Sequence, residues 1–201
     1  LAGEFWWKQD CSARLPNVWQ PHFEEITRQD QAQIYQELVT NAQGVLTTSF
    51  LSINGHPKDN RLQPHGFLPE AERIAIAAAL GDRTPIHQGP GFPMDENLGT
   101  AVSPEGEAAR DPDYQNGLGK DRLRYVVKGL AAKPARVTAQ MYYQSIPPFY
   151  QQDRYCTATK ADGTPTTDTG RLQYLAAHLD LNETVAQGWK LKVGVRREVG
   201  L

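Results

Sequence analysis

The chain has 201 residues, with 21 lysines and arginines against 23 aspartates and glutamates, for a formal net charge of -2. That length suits one large domain or two small ones with a core that forms without metal or disulfide, and the balanced charge excludes a general nucleic-acid binder. A mean hydropathy of -0.57 and no apolar run longer than Ile74 to Leu80 exclude a membrane-spanning helix, while 14 prolines and 17 glycines exclude a plain helical bundle.

Residues 1–32 read as an extended, aromatic-rich arm. Leu1 is not followed by the charged and apolar regions of a signal peptide, so the chain reads as a processed product or as the ordered part of a longer one. Phe5, Trp6, Trp7 and Trp19 must dock on the body or on a neighbour, and Pro16 and Pro21 break any helix. The runs 33–39 and 45–53, separated by Asn41-Ala-Gln-Gly44, predict two strands and a tight turn, or, over Gln31 to Val39, a helical turn or two. Residues 54–69 read as loop, and Glu70 to Leu80 as an Ala-rich helix ending at Gly81, or as a strand beginning at Ile74 and Ile76. A long Pro- and Gly-rich loop fills about 81–120.

Period-two alternation then sets in over 122–128, 136–145 and 189–195. Such alternation predicts antiparallel strands with one buried and one wet face. Asp168 caps a helix carrying Leu172, Leu175, Ala176 and Leu179, and Pro147-Pro148 ends the preceding strand. The expected architecture is mainly β: an antiparallel, immunoglobulin-like β-sandwich over 33–201 with one short helix and long connections.

Chemistry-bearing residues are sparse. There is no HExxH, and no CxxCH, so covalent c-type haem attachment within the chain is excluded. Gly117-Leu-Gly-Lys120 lacks the spacing of a phosphate loop, no GxSxG occurs, and no catalytic set is expected. His56 and His65 flank a loop but lack further metal ligands, and His178 reads as a surface or packing residue on the helix. The densest loop constellation is Lys58, Asp59, Asn60 and Arg61, suited to fixing a loop through side-chain turns and the guanidinium fork. A calcium site at Asp59 and Asn60, or among Glu105, Glu107, Asp111 and Asp113, lacks EF-hand spacing. Cys11 and Cys156 both lie in polar surroundings; they are two unrelated thiols or one long-range disulfide, the latter implying an oxidising compartment. His22, after Pro21 in the aromatic arm, is either structural or an imidazole offered to a cofactor on a neighbour. Tyr142, Tyr143, Phe149, Tyr150 and Tyr155 suggest a sugar platform, although alternation puts Tyr142 and Tyr143 on opposite faces.

Several segments carry a family resemblance: Trp19-Gln-Pro-His-Phe23, Gln31-Ala-Gln-Ile-Tyr35, Thr47-Thr-Ser-Phe-Leu51 and, most specific, Lys58-Asp-Asn-Arg-Leu-Gln-Pro-His-Gly-Phe67. Asp121-Arg-Leu-Arg-Tyr125, Tyr142-Tyr-Gln-Ser-Ile-Pro-Pro148, Arg171 to Leu179 and Gly188-Trp-Lys-Leu191 follow in order. Over roughly 17–195 the chain resembles the C-terminal, haem-free region of bacterial multihaem c-type cytochromes of the cytochrome c554-like family. It departs from that family in lacking every CxxCH motif, and His65 stands where a basic residue such as arginine is expected.

The resemblance implies a redox-silent part of a periplasmic or extracellular electron-transfer complex, its haem c carried by an upstream region or a partner chain. The implied work is to shield haems, tune their potentials by burial and dock partners. His22 and Trp19 are then the expected haem contacts. The rival expectations are a carbohydrate- or surface-binding β-sandwich module, an accessory part of a multihaem oxidoreductase, or an assembly domain forming a homo-oligomer or filament.

Overall fold

The computed structural model describes residues 19–81, 103–115, 117–157 and 167–200. By their contacts they fall into two units: residues within 21–26 and 33–125 form one, and those within 19–20, 27–32 and 126–200 the other.

The first unit begins with a hairpin that Asn41 builds. Its side-chain oxygen accepts the backbone N–H groups of Gln43 and Val45, both at 3.0 Å, and Gly44 takes φ +73, a conformation open to glycine without steric cost. The turn joins β2 (Glu37–Thr40) to β3 (Leu46–Thr47), both shorter than the expected runs, and Phe50–Ser52, expected as strand, forms a 3-10 turn. A third strand, β4 (Gly55–Asp59), falls where loop was expected and pairs antiparallel with β2, giving the order β3-β2-β4. Pro57 hides it in the sequence, because proline withholds a ladder donor. The ladder shifts register between Leu38 and Thr40, a break of the kind that accommodates a proline.

Asp59 also exchanges backbone hydrogen bonds with Glu105, drawing in a segment of two short 3-10 turns, Gly106–Arg110 and Pro112–Tyr114. Two further pieces, β1 (Glu25–Ile26) and β5 (Arg124–Tyr125), pair in parallel, with Arg124 on the Glu25 carboxylate. Of the two readings of 70–80, helix and strand, the helix is the one formed, as α1 (Glu70–Ala79). The loops after β4 meet 117–119 at contact distance. Gly66 donates to the Gly117 carbonyl at 2.7 Å, and a Cβ on Gly117 would stand 2.3 Å from the Phe67 carbonyl oxygen.

In the second unit, β6 (Arg136–Tyr143) and β7 (Leu191–Gly200) form an antiparallel ribbon. The register pairs Val137 with Val199, Met141 with Val193 and Tyr143 with Leu191, so an apolar face forms as alternation predicts. That face is not buried: every β7 residue is exposed, and all of β6 except Gln140. A helix, α2 (Pro148–Thr157), starts where only a chain turn was expected. Proline at a first helical position gives up no hydrogen bond, so Pro147-Pro148 ends the strand and opens a helix. The expected second helix is α3 (Thr167–His178), with Asp168 inside its first turn rather than at the cap. Trp19 packs on Phe149 with ring centroids 4.6 Å apart, and Tyr155 packs against Cys156, Ala176 and Trp189. Cys11, like Phe5, Trp6 and Trp7, lies outside the described residues.

The described residues thus make a mixed α/β protein of small sheets and three α-helices. An immunoglobulin-like sandwich needs two facing sheets that share a core. Here no sheet exceeds three strands, and the longest strands form an exposed ribbon. No described helix is long and apolar enough to cross a membrane.

Candidate functional site

Three consecutive residues at the end of β4 organise the first unit. Lys58, Asp59 and Asn60 are all buried, Asn60 completely, and buried polar groups of this kind must find partners. The Lys58 ammonium donates to the carbonyls of Pro21 (3.2 Å) and Ile34 (2.8 Å). Burial pushes its pKa down to about 7 against the opposing pull of the Asp59 carboxylate. Asp59 accepts the Arg61 side chain through Nε at 3.0 Å and the terminal nitrogen at 2.5 Å, and that pairing raises the guanidinium pKa. Arg61 also reaches Glu37, whose other oxygen holds His56 Nδ1 at 2.6 Å. The expected constellation Lys58, Asp59, Asn60 and Arg61 is therefore assembled, as a bracket between strands and loops.

Asn60 links this bracket to His22. Its backbone carbonyl accepts the Tyr114 hydroxyl at 2.8 Å, its side-chain oxygen accepts Gln36 N–H at 2.8 Å, and its side-chain nitrogen faces His22 Nδ1 at 3.2 Å. Gln33 repeats the arrangement: its oxygen accepts Phe23 N–H at 2.9 Å, and its nitrogen donates to His22 Nδ1 (2.9 Å) and Asp121 (3.0 Å). A backbone N–H anchors the oxygen of each amide, so both NH2 groups must point at Nδ1. That nitrogen is therefore an acceptor, the ring proton sits on Nε2, and it is donated to Asp111 at 3.0 Å. The Tyr114 ring meets the imidazole edge-on at 5.2 Å. Tyr35 reaches the Asp121 carboxylate; burial first, then this contact, raise the tyrosine pKa.

His22, Asp111 and Asp121 bring ligand atoms within 4.8 Å of one another, a grouping that invites a metal. The surroundings do not fit one. A histidine that binds metal through Nε2 carries its proton on Nδ1 and donates it outward, whereas here two amide donors already occupy that direction. The same reasoning applies to an axial bond to haem iron. With its side chain 1 % exposed and both ring nitrogens engaged, His22 is a bracket inside the unit. Trp19, its companion in the haem-contact expectation, stands on Phe149 of the other unit.

The residues that the sequence reading left apart from His22 are Gln33, Asp111, Tyr114 and Asp121. Gln33 and Asp121 lie inside segments that carry the family resemblance. Pro21 to Phe23, Gln31 to Tyr35, Lys58 to Phe67 and Asp121 to Tyr125 each supply a residue to the cluster around His22. Comparison with models of protein families, with curated proteins and with solved structures gives no match.

Proposed function

We propose that the chain is a haem-free domain of an extracytoplasmic multihaem c-type cytochrome assembly, periplasmic or extracellular, that shields haems and docks their carriers. The resemblance supplies the partner, and the open face of the β6–β7 ribbon is the observation that supports the reading. A two-stranded ribbon gains little stability in water by itself and needs something packed on its apolar side. Val137, Met141, Tyr143, Leu191, Val193 and Val199 share that side and are each between 44 and 58 % exposed. Arg197, opposite Ala139, stands among them, while Lys192, opposite Tyr142, and Lys190, over the Tyr142 ring, belong to the other face. An apolar stripe that carries a cation, Arg197, suits a haem edge, which is an apolar ring bearing carboxylates. Haem remains on the partner, and this chain contributes packing and exclusion of water. A Cys11–Cys156 bridge belongs to the same reading, because it requires an oxidising compartment.

The test is purification of the native protein from its source. The expected result is co-purification with c-type haem, visible in a reduced-minus-oxidised spectrum, and loss of that haem from preparations carrying Val193→Asp. A native protein that is monodisperse, colourless and without a haem-bearing partner overturns the proposal. A second reading, a carbohydrate-binding module, is favoured by a cavity of about 590 Å³ bounded by Asp180, Asn182, Trp189 and Lys190. Trp189 holds φ +59 there, a conformation that bulky residues rarely adopt.

A further inference from the structure

We propose that the first unit holds a binding site for a small carboxylate with an apolar body, in the cavity that Arg73 overlooks. This site is independent of the haem reading. The cavity has a volume of about 330 Å³, at the lower end of the range for small-molecule sites. Phe67, Leu68, Pro104, Ala108 and Tyr114 make its walls, and Arg73 is the cation that lines it. Ser103 and Gln115 add neutral polar groups. The Tyr114 hydroxyl is already committed to the Asn60 carbonyl, so that residue serves as wall.

Arg73 is held in place before any ligand arrives. Its Nε donates to the Leu68 carbonyl at 3.0 Å, and its guanidinium carbon lies 4.8 Å from the centre of the Phe67 ring. One hydrogen bond and one ring contact fix the plane of the fork and leave its terminal nitrogens unused. No carboxylate among the described residues pairs with it. Three other arginines of the unit do have carboxylate partners: Arg61 with Asp59, Arg110 with Glu107 and Arg124 with Glu25.

A planar fork with two parallel donors fits a carboxylate. One positive charge, with no second cation among the described lining residues, suits a monoanion better than a phosphate dianion. The apolar walls ask for a hydrocarbon or aromatic body, and the volume limits that body to about ten heavy atoms.

The probe is benzoate, titrated into the full chain and followed by amide chemical shifts. Benzamide removes the charge while keeping the shape, and inorganic phosphate keeps the charge without the apolar body. The expected result is a benzoate dissociation constant in the ~mM range, with shifts centred on Phe67 and Ala108. Benzamide and phosphate then bind at least about tenfold more weakly, as does Arg73→Gln, whose melting temperature without ligand falls by only a few degrees for the Leu68 and Phe67 contacts it gives up. Ala109→Leu narrows the cavity from its exposed rim and lowers benzoate affinity while leaving the guanidinium intact. No benzoate binding to wild type, equal binding to Arg73→Gln, or shifts mapping away from Phe67 and Ala108 overturns the site. None of these results bears on whether native material carries a haem partner.

Discussion

The protonation state assigned to His22 has a consequence that a single substitution exposes. Asn60→Asp preserves size and keeps an oxygen to accept Gln36 N–H at 2.8 Å, but it replaces the NH2 group that faces His22 Nδ1 at 3.2 Å with a second oxygen. Two acceptors then face each other at a fully buried position. The loss of one hydrogen bond and the burial of an unpaired acceptor together cost about 2–4 kcal/mol. Asn60→Ala loses the Gln36 contact as well and is expected to cost a similar amount by a different route, leaving a backbone N–H unpaired and a small void. Urea denaturation near pH 8, where ordinary histidine is neutral, measures both. Long-range proton–nitrogen correlation of the His22 ring is the direct companion measurement, with the proton expected on Nε2. A proton on Nδ1, or an Asn60→Asp protein as stable as wild type, refutes the network as described, since a donating Nδ1 would welcome the carboxylate.

Two further outcomes follow from the same unit. Lys58 has a folded pKa of about 7 against an ordinary 10.5, so between those values the unfolded chain holds more protons. Stability should therefore rise with pH across that window, by at most about 1.4 kcal/mol per unit, and be flat in this contribution below it; Lys58→Met should remove the rise in a series of urea midpoints. Gly117→Ala combines φ +61 with a Cβ placed 2.3 Å from the Phe67 carbonyl oxygen. It should cost about 3 kcal/mol or more by thermal or urea unfolding, because neither the backbone angle nor the carbonyl yields cheaply.

Local signals predicted what is local. The hairpin around Asn41 and the ribbon of β6 and β7 follow from turn chemistry and alternation, and α1 follows from its alanines. The strand β4 was hidden by Pro57, and α2 by a proline pair that reads as a stop when it also makes a start. Alternation implies that two faces differ, but it does not say what covers the apolar one, and so an exposed ribbon passed for half of a sandwich. The cluster around His22 was partly visible: Lys58 to Arg61 stood out, whereas Asp111 read as one acidic loop residue among several and Gln33 as an ordinary polar residue. Their meeting is a tertiary event, joining positions whose spacing along the chain carries no period. Arg73 gave no signal at all, because its interest lies in the ring beneath it and in the lack of a counter-charge among the described residues.

The centre of the first unit is tied by bonds that span most of its length: His22 to Asp111, Gln33 to Asp121 and Asn60 to Tyr114 are 89, 88 and 54 positions apart. Large chain loops must close before any of these contacts can form, and topology of this sort slows folding. During synthesis the N-terminal part of the unit leaves the ribosome with its imidazole, its amides and its lysine still facing water. The bonds to Asp111, Tyr114 and Asp121 can form only after those residues have emerged, so the unit completes itself late. A truncation anywhere before Asp121 should leave a chain unable to settle.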